Sequence, residues 1–114
     1  MIYLASPYSH EDPRVMRARY EAVSECVAKL IRAGYLVFSP IAYSHPLAES
    51  YKDLGFGFES WREFDIGMLS RATTLAVLQL DGWSESQGIE AEIDYAEKIG
   101  LPIAFTTVEE INEL

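Results

Sequence analysis

The sequence predicts one three-layer α/β domain on a mainly parallel sheet, and three observations carry that reading. Short apolar, β-branched runs alternate with longer stretches of helical periodicity along all 114 residues. The first two such runs are separated by a whole helix, which suits a right-handed parallel crossover and not a hairpin. Ser, Pro and Gly punctuate the junctions. With 49% of its residues hydrophobic, a chain of this length builds one core rather than two.

The elements follow in order. Residues 1–5, Met-Ile-Tyr-Leu-Ala, form an apolar run stopped by Ser6-Pro7, as in a buried strand. From Pro13 to Ala33 the apolar positions Met16, Tyr20, Val23, Val27, Leu30 and Ile31 recur at steps of three and four, the pattern of an amphipathic helix. Asp12-Pro13 supplies its N-cap and first-turn proline, and Gly34 its C-terminal stop. A second strand covers residues 35–39. Residues 40–57, with Pro40, Pro46, Gly55 and Gly57, read as a long irregular connection. A helix is expected over 58–72, and the β-branched run 73–80 is the central strand. The polar turn 81–88 opens a helix over 89–99, residues 101–106 give a fourth strand, and 108–114 a short terminal helix. The result is a doubly wound, flavodoxin- or Rossmann-like sheet of four to five strands in order 2-1-3-4. Its switch point lies between strands one and three, so a ligand binds over Ser6 and residues 81–88.

Composition narrows the function. Nine Lys and Arg face 18 Asp and Glu, a formal net charge of −9, which repels a nucleic-acid polymer but leaves room for a mononucleotide held by a few backbone N–H groups. The lone Cys26 sits in an apolar-periodic segment and builds neither a disulfide nor a metal site. His10 and His45 stand in separate loops without acidic spacing, so no metal or other cofactor is expected; both are placed at a pocket rim, where His45 and Tyr43 could touch a base or sugar. No run is long enough for a membrane span and Met1 leads straight into a strand, so a soluble cytoplasmic protein without a membrane partner is expected.

Four features could carry chemistry. Ser84, Ser86 and Gly88 precede a helix whose first N–H groups lack partners, which suits an anion; equally, Ser86, or Ser84 with Gln87 in a capping box, caps that helix. Glu90 and Glu92 compete for the crevice, since about 200° of helix rotation separates them. Asp94 and Glu97 belong to the solvated face. Asp65, spaced from Trp61 and Leu69 at a helical interval, is either an ordinary boundary residue or a half-buried carboxylate, which would have the raised pKa that acid–base work needs. Tyr3 is a strand residue whose hydroxyl requires a partner if buried.

Together these residues resemble the nucleoside 2-deoxyribosyltransferase superfamily, which includes 2′-deoxynucleoside 5′-phosphate N-hydrolases, over most of the chain. The likeness is closest to a small branch with Tyr-Leu-Ala-Ser-Pro-Tyr-Ser at its start, here Tyr3 to Ser9, and Ser-Pro-Ile-x-Tyr-Ser-His-Pro in the middle, here Ser39 to Pro46. The resemblance places the nucleophile-orienting tyrosine on Tyr3, the helix aspartate on Asp65 and, by the spacing Ser86, Gly88, Glu92, the nucleophilic glutamate on Glu92 rather than Glu90. It implies Ser6, Ser9, Ser86 and Gly88 around sugar or phosphate. Ser86 stands where the nucleotide hydrolases carry serine and the transferases aspartate, while Pro7 and Ser9 occupy the positions of the hydrolases' loop serine and arginine. The chain stops soon after strand four, without the extension that completes a neighbouring transferase site.

The expectation is an N-glycosidase cleaving the base–sugar bond of a nucleoside or nucleoside 5′-monophosphate through Glu92, in a homo-oligomer with an even number of subunits. A base-exchanging (deoxy)ribosyltransferase and a non-catalytic nucleotide-binding or sensing module are the rivals.

Overall fold

A computed structural model describes residues 1–114. In chain order the elements are β1 (Ile2–Ala5), α1 (Pro13–Arg32), β2 (Val37–Phe38), α2 (Pro40–Ser50), α3 (Phe58–Leu69), β3 (Thr74–Leu78), α4 (Gln87–Ile99), β4 (Ile103–Thr106) and α5 (Val108–Asn112), with 3₁₀ turns at Lys52–Leu54 and Trp83–Glu85. The four strands form one sheet in order β2-β1-β3-β4, and every pairing is parallel. Strands β1 and β3 are therefore interior. Tyr3 lies opposite Leu75 on one side and Phe38 on the other.

Period-two alternation sends β1 and β3 side chains to opposite layers. Tyr3, Ala5, Leu75 and Val77 pack with Leu69 of α3 and with Ile89 and Ala96 of α4. Leu4 and Leu78 pack on the other face with Val23, Cys26 and Leu30 of α1 and Ile111 of α5. This alternation fixes the layer of the site, because Tyr3 points toward α3 and α4.

Local chemistry sets the helix ends. Asp12 caps α1 by accepting from the Arg14 N–H at 2.9 Å, and Gly34 follows the helix with φ 94°. Ser86 caps α4 by accepting from the Ile89 N–H at 3.2 Å, so the cap is Ser86 and not a Ser84–Gln87 box.

Two expectations change. Residues 40–57 are not one irregular connection, since Pro40–Ser50 is a helix. It starts by the same device as α1: the Ser39 hydroxyl accepts from the Ala42 N–H at 3.1 Å and Pro40 takes the first helical position. Pro46 lies inside the helix, where it removes a hydrogen bond but does not end it. The second strand shrinks from 35–39 to Val37–Phe38, because it is an edge strand paired only with β1 and its approach, Tyr35 and Leu36, is solvent-exposed.

Candidate active site

Above the C-terminal ends of β1 and β3 lies a cleft of about 770 Å³. Its walls come from the β1–α1 loop, the start of α2, the segment entering α3, α3 itself and the first turns of α4. It opens at the switch point that the strand order defines.

Three buried polar side chains meet here. Glu92 shares a face of α4 with Ile89 and Ala96, at steps of three and four, so the stripe that packs on the sheet carries a carboxylate among apolar neighbours. Asp65 occupies the equivalent place on α3, one turn before buried Leu69. Tyr3, fully buried on β1, donates its hydroxyl hydrogen to Glu92 Oε2. Asp65 and Glu92 both line the cleft.

Burial dominates their ionisation. Loss of hydration pushes Asp65 up to about 7. Desolvation likewise pushes Glu92 up to about 8; the Tyr3 hydrogen bond offsets part of this, and the Asp65 charge adds to it. Tyr3 is held far above the ordinary phenol range by burial first and by the Glu92 and Asp65 charges second, so it remains a donor. Asp65 Oδ1 and Ser6 Oγ are buried and find no hydrogen-bond partner in the protein. Buried polar atoms normally have partners, so this pair on a cleft wall marks where a ligand's polar groups would bind.

Ser6, Ser9, Ser86 and Gly88 all line the cleft, so Ser86 both caps α4 and borders the cavity. Gly88 packs closely: a Cβ there would sit 3.4 Å from Phe58. Glu90, the competitor of Glu92, also lines the cleft, so the helix rotation between them does not keep one out; what separates them is burial, Glu92 being buried and Glu90 solvent-exposed.

Two predicted rim residues lie elsewhere. Tyr43 is outside the cleft lining and about half exposed, stacked on Phe64 at 5.3 Å and packed on Phe38 and Trp61. His45 is buried under the cleft wall, stacked on Tyr20 at 4.3 Å. Both follow from α2 being a helix, because its rotation turns Pro40, Ile41 and Ser44 to the cleft in their place.

Arg19 and Tyr8 also line the cleft and were not among the expected site residues. Arg19 bridges the two switch-point loops, donating to the Tyr8, Ser9 and Asp81 carbonyls at 3.4, 3.1 and 3.2 Å, with no carboxylate partner. The loop accepts it closely, since a Cβ at Gly82 would fall 2.5 Å from Arg19 Nη2. Its sequence signal was a cation three residues after Met16, on the apolar side of α1.

The fold and the cleft define a doubly wound, parallel α/β domain with a carboxylate-bearing crevice at its switch point. Residues 1–108 match the model of a family described as Domain of unknown function (DUF1937), and the chain belongs to that family. No curated protein matches the sequence.

Proposed function

We propose that this protein is an N-glycosidase that cleaves the base–sugar bond of a nucleoside or nucleoside 5′-monophosphate. The observation that carries the reading is the meeting of two buried carboxyl groups, Asp65 and Glu92, with the Tyr3 hydroxyl on one side of an open cleft. Paired carboxyls in different environments are what a retaining glycosidic cleavage uses. The family likeness described above adds the nucleoside as substrate.

In this reading Tyr3 holds Glu92 through Oε2, leaving Oε1 for the anomeric carbon. As the Glu92–sugar bond forms and the sugar–base bond breaks, the departing base takes the Asp65 proton. Asp65, now a carboxylate, takes a proton from the water that attacks the glycosyl ester, and sugar and free Glu92 are released. Ser6, Ser9, Ser86 and Gly88 surround the sugar or phosphate end, and Arg19 supplies positive charge there. Phe58 and Trp61 contribute aromatic carbon for the base.

Incubating the protein with a panel of nucleosides and 5′-monophosphates, followed by chromatography for free base, tests the assignment. Free base is expected. Its capture by an added second base would make the protein a transferase, and binding without release would make it a binding module.

The pH dependence follows from the same two groups. Attack needs ionised Glu92, and departure of the base needs protonated Asp65. The productive form, ionised Glu92 with protonated Asp65, is the minority arrangement of a pair in which burial lifts Glu92 to about 8 and Asp65 to about 7, so kcat/KM is expected to be bell-shaped, falling off on either side of that interval. Asp65→Asn should remove the fall on the alkaline side; a bell unchanged in that variant would contradict Asp65 as the acid.

No helix of the protein is long and apolar enough to cross a membrane. The reading includes a cytoplasmic location and a homo-oligomer with an even number of subunits. The exposed Tyr43–Phe64 stack supports the oligomer, and light scattering tests it.

A further inference from the structure

One buried polar group on the cleft wall has no part in the mechanism above. Tyr8 follows Ser6-Pro7 at the end of β1, lines the cleft and is only 6% exposed. Its hydroxyl lies 2.5 Å from His45 Nδ1. The imidazole is clamped between the stacked Tyr20 ring and the edges of Tyr8 and Phe56. His45 Nε2 faces Glu49 Oε2 at 3.5 Å, and Arg17 holds that carboxylate at 3.2 Å. A chain of contacts thus runs from the surface pair Arg17–Glu49 through His45 to Tyr8 and the cleft.

The charge beside Nε2 sets the direction of the one hydrogen bond that the His45 ring makes, to Tyr8. The Glu49 charge near Nε2 attracts a hydrogen there and repels a lone pair, so it favours the His45 tautomer with its hydrogen on Nε2, although the two make no hydrogen bond. Burial holds His45 below its ordinary value and keeps it neutral. Nδ1 is then bare and accepts the Tyr8 hydrogen. Tyr8, pushed up to about 12 by burial and the Glu49 charge, keeps that proton. The phenol hydrogen is therefore turned toward His45, and lone pairs are all that the oxygen can offer a ligand in the cleft that Tyr8 lines.

We infer that Tyr8 is a specificity residue that accepts a hydrogen bond from one hydroxyl of the ligand, with His45 and Glu49 as positioning residues that fix its polarity. A tyrosine free to rotate would take either a donor or an acceptor; this one takes only a donor. The adjoining wall carries hydroxyls, from Ser6, Ser9 and Ser44, which makes a sugar hydroxyl the group read. That last step rests on the nucleoside reading of the cleft, whereas the polarity of Tyr8 does not.

Two measurements on the full chain test it. Long-range ¹H–¹⁵N correlation spectra should show His45 with its hydrogen on Nε2 and a bare Nδ1; only His10 must be told apart, and His10→Gln does so. A hydrogen on Nδ1 would overturn the inference whatever the substrate is. Kinetics with a ribonucleoside and its 2′-, 3′- and 5′-deoxy analogues supply the second test. Tyr8→Phe should lower kcat/KM by about 10- to 100-fold for every substrate bearing one particular hydroxyl and leave the analogue lacking it unchanged. Glu49→Ala should weaken the same discrimination. An equal loss on all four substrates would overturn the inference. If the wild-type protein releases base from none of them and from none of the corresponding 5′-monophosphates, the glycosidase reading fails, and a hydrogen on Nδ1 still overturns the polarity assigned to Tyr8.

Discussion

Glu92→Ala protein is expected to lose base release by at least about 10⁴-fold while still binding ligand, because removing a nucleophile raises the barrier without dismantling the cleft. Asp65→Asn should behave differently. General acid catalysis contributes ~10²–10⁴-fold and matters least for good leaving groups, so this variant should keep a residual rate that is largest on nucleosides with labile bases. Rates of both variants on a labile-base nucleoside check the division of labour. If Asp65→Asn is as inactive there as Glu92→Ala, the two carboxyls do not have separate roles.

The same residues should be costly to the fold. Both carboxyls hold their protons more tightly when folded than their ordinary values of 3.8 and 4.5 allow, with Asp65 at about 7 and Glu92 at about 8. Their contribution to stability is fully present below pH ~4 and is lost as pH rises through the folded values. Stability should therefore fall between about pH 4 and pH 8, the reverse of a protein whose carboxylates are ion-paired. Asp65→Asn and Glu92→Gln remove the buried charge and keep the shape, and Gln still accepts from Tyr3. Each should raise the melting temperature at pH 9 by about 10 °C and change it little at pH 4. Equal shifts at both pH values, or destabilisation at pH 9, would show that burial of charge at this site is not what the protein bears. Stability of this kind is commonly given up for activity.

Much of this was legible in the residues. Helical periodicity and the Asp12-Pro13 cap located α1 to within a residue of its end, and β-branched runs located the interior strands. Asp65 could be placed because it shares a helical interval with Leu69. Glu92 could have been preferred over Glu90 on the same ground, since it belongs to the Ile89–Ala96 stripe. The segment 40–57 reads as irregular from its Pro40, Pro46, Gly55 and Gly57, although Ser39-Pro40 repeats the cap-then-proline signal that opens α1. That error moved Tyr43 and His45 to a rim they do not occupy. The Tyr8–His45 pair was not legible, since it joins residues 37 positions apart that only the packing of α2 against the loop after β1 brings together.

The most direct test of Glu92 as nucleophile is mass spectrometry of the acid-quenched protein after incubation with a 2′-fluoro nucleoside carrying a labile base. Fluorine beside the anomeric carbon disfavours the oxocarbenium-like transition state of both steps, and the good leaving group keeps the first faster than the second, so a covalent intermediate accumulates. A mass gain of one fluoroglycosyl group per chain, mapped to the peptide containing Glu92 and absent from Glu92→Ala, is the predicted result. Base release without any adduct, or an adduct on Glu90 or another residue, would contradict it.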